Sequence, residues 1–426
     1  MVRIARALLT PIGVWPLYRG DTIIDNIKTF IHTGLIFCSM CFLMIPHIFY
    51  TFFDCEYLAR FMKVIAGQVF SILGISKFLM MIIKKKEIRD CLHQIKMHYK
   101  DVESEEDRSI MIKGAKMGRL FTTLYLSIAY GGALPYHIIL PLMADRIVKE
   151  DNTTQIPLPY LSDYVFFVIE ESPLYEIVFV TQIVISTIIL SANFGIYSLI
   201  ATCVMHSCCL FEVVSRQMQT TFDYSVDEFH GRLCNIVKQH MKAIRYAEAL
   251  EKALNLMFLT EMIGCTLNIC FLEYGVLVVY NKLTKELGHR DIILISYRLQ
   301  EWEDNKKLSA VTYVVLMTST FVNVFIISFI GERLKEESHR VGEVTYSVEW
   351  YNLPRNIVKE LTMIILRTDH VSRLTAGKIF DLSLQGFCDV SIYICRTVLY
   401  MTKICISTGL QNFGGIFKFY TYNDDV

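Results

Sequence analysis

Charged side chains set inside apolar runs are the residues whose chemistry stands out in this sequence: Lys77, Glu261, Asp381, Asp389 and Arg396. A charge at bilayer depth is costly, so such groups face protein or water, where they pair with a neighbour or line an ion path. Asp389 and Arg396 are seven residues apart, which puts them on one face of a helix. Glu261 reads as a partner for a neighbouring helix, with an ion path as the other reading. Lys77 reads as a side chain that snorkels to the cytosolic surface and binds nothing. Catalytic patterns are missing: the sequence has no Gly-rich phosphate loop, no His-Glu-x-x-His and no nucleophile elbow, so an enzyme is not expected. Its thirteen cysteines are scattered, without a disulfide framework or metal-ligand spacing, and Cys208-Cys209 reads as a packed or lipid-modified pair.

The elements that position these groups are long apolar stretches. Residues 29–53, 120–144, 177–211 and 308–331 contain no Asp, Glu, Lys or Arg, and about 20 apolar residues suffice to span a bilayer. Three further stretches, 61–83, 253–280 and 378–401, are apolar with isolated charges. The composition agrees: 426 residues, 53% hydrophobic and 12% aromatic, with net charge zero and mean hydropathy +0.39. Nucleic acid is not an expected partner, whereas membrane lipid is.

Loop charges orient the spans. Residues 84–118 hold nine Lys or Arg, among them Lys84, Lys85 and Lys86, whereas 145–175 hold only Arg146 and Lys149. By the positive-inside bias the first loop is cytosolic and the second lumenal. Asn152-Thr153-Thr154 in the second loop is a glycosylation acceptor, usable only on the lumenal side. The expected organisation is a cytosolic arm at 1–28, spans one to four within 29–204, and a cytosolic helical extension at 205–252. Spans five and six follow within 253–332, with a divergent extracellular loop at 276–307. A cytosolic anchor segment at 333–375, a last span at 376–401 and an extracellular tail at 402–426 complete it. The fold class is therefore all-α and polytopic: seven transmembrane helices, N-terminus cytosolic, C-terminus extracellular, with helix extensions bundled in the cytosol. Leu233, Val237, Met241, Ile244 and Ala247 recur at helical spacing ahead of the fifth span, so that helix should run out of the bilayer without a break.

Several segments resemble the insect odorant receptor family. They are IVKQHMKAIRYAE from Ile236, GCTLNICF from Gly264, WYNLP from Trp350 and LTAGKIFDLS from Leu374; SPLYE from Ser172 is similar to the ant, bee and wasp branch. The resemblance covers nearly the whole chain to Val390. It implies the odorant-binding subunit of a ligand-gated, non-selective cation channel that assembles with the odorant receptor co-receptor, in the plasma membrane of sensory dendrites, without a cofactor or metal. A gustatory-type receptor channel is the alternative. A metabotropic seven-helix receptor would need an extracellular N-terminus, and a transporter would need internal repeats with broken midplane helices. Two departures from the family stand out, an additional stretch at 276–300 and a different sequence at 391–426.

The resemblance also implies sites. The last span lines the pore, with Asp389 as a lining residue or an interhelical polar contact, and Phe387 and Val390 as an apolar constriction or ordinary packing. A volatile odorant needs a closed pocket of aromatic and aliphatic walls with few polar handles. The family's pocket lies in the extracellular halves of the second, third, fourth and sixth spans, which here present Val64, Gln68, Phe70, Tyr130, Tyr136, His137, Val178, Thr181, Gln182, Tyr313 and Met317. Tyr130, His137 and Gln182 carry the most interest, since a polar group at membrane depth needs a partner.

Overall fold

The computed structural model describes residues 2–17, 23–53, 58–143, 147–148, 154–156, 158–164, 172–221, 226–287, 292–393, 396 and 400. Nine helices run in the order α1 (Arg3–Leu9), α2 (Ile23–Phe53), α3 (Leu58–Ile83), α4 (Lys85–Asp101), α5 (Glu105–Met143), α6 (Leu174–Thr220), α7 (Val226–Leu287), α8 (Ile292–Ser347) and α9 (Arg355–Thr368). A tenth, α10, is described at 384–393. Two small antiparallel pairs, β1 (Ile147–Val148) with β2 (Thr154–Gln155) and β3 (Thr375–Ala376) with β4 (Phe380–Asp381), decorate the loops.

Among the described residues, five helical stretches are long and apolar enough to cross a bilayer: Ile23–Phe53, Val64–Ile83, Leu174–Thr220, Glu228–Tyr274 and Val315–Ser347. The apolar run of α5 and the last helix α10 bring the spans to seven. Three helices outrun the membrane. With 47, 62 and 56 residues in α6, α7 and α8 and 1.5 Å per residue, they reach about 70, 90 and 85 Å, against a hydrocarbon core of about 30 Å. Their far ends must pack on protein or meet water.

α6 is the central post. It packs against α1, α2, α3, α4, α5, α7 and α8, and from Ala192 to Cys209 every residue on all its faces is buried. An apolar helix without a polar face belongs in such a position. Two amphipathic helices close the extramembrane bundle. α4 buries Ile88, Cys91, Leu92 and Ile95 on one face; α9 buries Ile357, Leu361, Ile364 and Thr368 on another. The N-terminal arm lies at the same end of the bundle, because the Arg89 guanidinium donates to the Pro16 carbonyl at 3.0 Å. There, too, Arg216 of α6 clamps Asp107 of α5 through Nε at 2.8 Å and Nη2 at 2.6 Å, while Gln217 donates to the second Asp107 oxygen at 2.8 Å.

Two boundaries differ from the sequence expectation. The loop expected over 276–307 is helical where described, because α7 runs to Leu287 and α8 starts at Ile292. The last span, expected over 376–401, does not start at 376: residues 375–381 form the β3–β4 hairpin, and helix resumes only at 384. The reason is local. Gly377 and Lys378 take positive φ of 61° and 62°, the Gly377 N–H donates to the Asn255 carbonyl at 2.9 Å, and Thr375 N–H donates to the Glu251 carboxylate at 2.9 Å. A left-handed pair cannot lie inside an α-helix. Asp381, read as a charge within the last span, sits in this hairpin and pairs with Arg373 at 2.8 Å.

Candidate functional site

The candidate ligand residues fall into three places. At the end of the bundle where segment 160–164 folds in, two glutamines act as clasps. Gln182 of α6 is fully buried; its Oε1 accepts the Tyr160 N–H at 3.0 Å, and its Nε2 donates to the Tyr160 carbonyl at 3.2 Å and to the Ser162 and Tyr164 hydroxyls at 3.3 Å each. Segment 160–164 is thereby folded into the bundle, and α2 grips its other side. The Asp163 N–H donates to the Pro46 carbonyl at 3.0 Å, and His47 Nδ1 donates to the Leu161 carbonyl at 2.7 Å. Gln68 of α3 donates to the His47 carbonyl at 2.9 Å and bonds the Thr51 hydroxyl. The Gln182 amide spends both its polar atoms on protein, as burial demands.

Deeper in the bundle is an aromatic cluster around Phe194 of α6. Phe70 of α3 and Tyr125 and Tyr130 of α5 approach its ring with centroids at 6.3, 5.3 and 5.6 Å. The Tyr130 hydroxyl finds Ser191 at 3.0 Å. Val64 and Val178 are buried, and Thr181 is half-buried. The third place lies between α3, α7 and α8, where half-buried Met317 packs with Ala66 and Leu272. The side chains of Tyr136, His137 and Tyr313, and all of Asn152, lie outside the described residues.

Beneath the aromatic cluster the structure assembles charges that sequence reading had kept apart. Lys77, expected to snorkel outward, is instead 2% exposed. Its Nζ lies 2.7 Å from Glu261 Oε2, donates to Asn193 Oδ1 at 2.7 Å and stands 4.0 Å from the centre of the Tyr197 ring. A lysine six residues from the end of its helix at Ile83 can reach the surface only if nothing nearer satisfies it; here α6 and α7 bring an amide, a ring face and a carboxylate to its ammonium. Glu261 also accepts from Asn323 Nδ2 at 2.7 Å and from the Cys265 thiol at 3.1 Å. Asn323 in turn donates to the Tyr197 hydroxyl at 3.1 Å and accepts from the Tyr125 hydroxyl at 2.9 Å. The pairing expected for Glu261 is thus present. Asn193, Tyr197 and Asn323 were missed, although an asparagine in a charge-free apolar run is a visible signal that a partner is needed.

At the pore candidates, Phe387 meets Phe325 of α8 with ring centroids at 5.8 Å, and half-buried Val390 packs on Ile269 of α7, as Phe321 of α8 also does. Asp389 is exposed and accepts from Gln385 Nε2 at 3.1 Å. Among the described residues no cluster of His, Cys, Asp or Glu has the makings of a metal site.

At the opposite end of the bundle two histidines meet. His98 Nδ1 of α4 and His206 Nε2 of α6 are 3.0 Å apart, beside the Tyr99 and Tyr246 rings. Burial, then His98, holds His206 down to about 3, and burial, then Arg367, holds His240 down to about 4. Both rings are neutral at physiological pH.

Comparison with known proteins places this architecture. The family model described as 7tm Odorant receptor matches residues 57–285 and 294–393. The chain is 22% identical to odorant receptor 82a of Drosophila melanogaster over 370 residues, which are 85% of this chain and 87% of that receptor. It is 21% identical to odorant receptor 10 of Aedes albopictus over 221 residues, 51% of this chain and about half (52%) of the length of that receptor. Its fold is similar to the insect olfactory receptor OR5 from Machilis hrabei in complex with eugenol, with a TM-score of 0.73 at 13% identity over 94% of this chain and 97% of the other.

Proposed function

Because this chain belongs to the odorant receptor family, a family of seven-helix membrane receptors and not of enzymes, we propose that it is the odorant-binding subunit of a ligand-gated, non-selective cation channel formed with the odorant receptor co-receptor. In this reading the N-terminus is cytosolic, the far ends of α6, α7 and α8 with α4 and α9 form the cytosolic anchor, and the protein works in the membrane of sensory dendrites. The observation that carries the reading is the family match across both halves of the bundle. The aromatic cluster around Phe194 supports it, since it supplies the apolar wall a volatile ligand requires. Val64, Gln68, Phe70, Tyr130, Tyr136, His137, Val178, Thr181, Gln182, Tyr313 and Met317 are the proposed pocket residues; Phe387, Asp389 and Val390 are the proposed pore residues; Asn152 is the proposed glycosylation site. Binding opens the pore only by favouring the open state over the closed one.

The test is whole-cell current in cells expressing this chain with and without the co-receptor, under a panel of volatile alcohols, esters and phenols, with G-protein signalling blocked. Current that needs both chains is the expected result. A gustatory-type channel would conduct from this chain alone. A co-receptor that works with another receptor but stays silent with this one overturns the reading.

A further inference from the structure

The buried polar cluster beneath the aromatic cluster joins five helices through seven side chains. Lys77 comes from α3, Tyr125 from α5, Asn193 and Tyr197 from α6, Glu261 and Cys265 from α7, and Asn323 from α8. None is more than 9% exposed. An ion pair so deeply buried is weak evidence for stability, because a well-packed apolar pair of similar volume often does as well or better; its best-attested use is to hold one arrangement of elements against others.

The cluster has two ends. On one side Tyr125 packs edge-on against Phe194, the ring that Phe70 and Tyr130 also approach. On the other side Asn323 lies in α8 between Phe321, which packs on Ile269 as Val390 of α10 does, and Phe325, which meets Phe387 of α10. A single amide therefore stands between the aromatic wall and the helix α10. The Tyr125 hydroxyl donates to its oxygen, and its nitrogen donates to Glu261 and Tyr197. The Asn323 amide can turn over or shift only by giving up both sets of bonds in a medium that offers no replacement. A displacement of Tyr125 by a ligand at Phe194 is thus passed to Asn323 as a choice between two bonded arrangements rather than as a gradual strain.

We propose that Asn323, held by the Lys77–Glu261 ion pair and by Tyr125, is a positioning residue that couples ligand occupancy at the aromatic cluster to the packing of α8 on α10. This rests on the channel reading above. Lys77 and Glu261 set the polarity of the site, a donor on one side and an acceptor on the other, so that the Asn323 nitrogen faces the carboxylate and its oxygen faces the tyrosine.

The experiment is a double-mutant cycle of Tyr125→Phe and Asn323→Leu, co-expressed with the co-receptor and read as resting current, dose-response and surface level. The probe is the member of an alcohol, ester and phenol panel that activates the wild-type chain most strongly. Tyr125→Phe removes one hydroxyl and keeps the ring, so a surface level within about twofold of wild type is expected, with the half-maximal concentration moved by at least about fivefold, the lower range of allosteric coupling. The double variant should respond like Asn323→Leu alone, because the hydroxyl has lost its acceptor. Wild-type silence counts against the channel reading, not against this coupling. With wild type responding, an unchanged dose-response and resting current in Tyr125→Phe overturns the proposal. Failure of Tyr125→Phe to reach the surface also overturns it, because the hydroxyl would then serve folding. If Asn323→Leu alone fails to reach the surface, the Tyr125→Phe result decides.

Discussion

Residues in this protein are informative where polarity and surroundings disagree. Gln182 is the plainest case: four hydrogen bonds tie its amide to segment 160–164. Gln182→Leu leaves the Tyr160 N–H and carbonyl without their partner, at about 1–3 kcal/mol for each group that stays dry. The expected outcome is a lower thermal midpoint for the detergent-solubilised protein, read by fluorescence-detected size exclusion, and a weaker odorant response; an unchanged midpoint would mean that water replaces the amide at no cost. Asp389 supports a different prediction, since it is exposed and, among the described residues, bonded to Gln385 one turn earlier. If it lines the pore, Asp389→Asn should lower relative calcium permeability, measured from reversal potentials, without moving the half-maximal odorant concentration more than about twofold; an ordinary surface contact would leave the reversal potential where it was. Gln182 and Asp389 were visible as polar residues in apolar segments. The partner of Gln182 was not, because Tyr160 is 22 positions away and pairs with it only after α2 and α6 grip the loop.

Elements carry two further predictions. Gly377 turns the β3–β4 hairpin at φ 61°, and a Cβ there would come within 2.6 Å of the Leu259 side chain. Gly377→Ala adds the left-handed penalty of about 1–2 kcal/mol to that contact, so reduced surface expression and a lower thermal midpoint are expected, whereas Lys378→Gly, which relieves a left-handed residue, should raise the midpoint. The histidines of the extramembrane bundle set a pH dependence. His206 and His240 titrate at about 3 and about 4 in the fold against about 6.5 unfolded, so between these values the unfolded chain binds more protons. Their contribution is complete above about pH 6.5 and is lost as pH falls toward 4 and then 3, with about 2 kcal/mol gone per ring by pH 5. Thermal midpoints measured from pH 7.5 to 5 should fall, and less steeply in His206→Asn. Helix periods made α6, α7 and α8 legible in advance, including the continuous passage of α7 from Val226 into the fifth span. The start of the last helix was not legible, because LTAGKIFDLS is apolar enough to pass for a span and only contacts with Glu251 and Asn255 hold it as a hairpin.

At the scale of the whole molecule, the additional stretch at 276–300 proves to be helical where described: residues up to Leu287 continue α7 and those from Ile292 open α8. The family match is interrupted only between 285 and 294, and it reaches 393. Residues 401–426 lie outside the described structure. Deleting 286–293 should therefore leave surface expression and the odorant response in place, as whole-cell current would record; loss of response would mean that this chain depends on its longer α7–α8 connection. Apolar length, loop charge and helical period are local properties, and from them the sequence determined that the chain is all-helical, that it spans a membrane seven times and that the helix of the fifth span continues beyond it. Which polar group meets which was decided only by the tertiary structure. Lys77 and Glu261 are separated by 184 positions, and each alone reads equally well as a surface charge or a buried one. Only the packing of α3 and α7 against α6 sets them 2.7 Å apart, and in a medium without water that distance is what makes both charges tolerable.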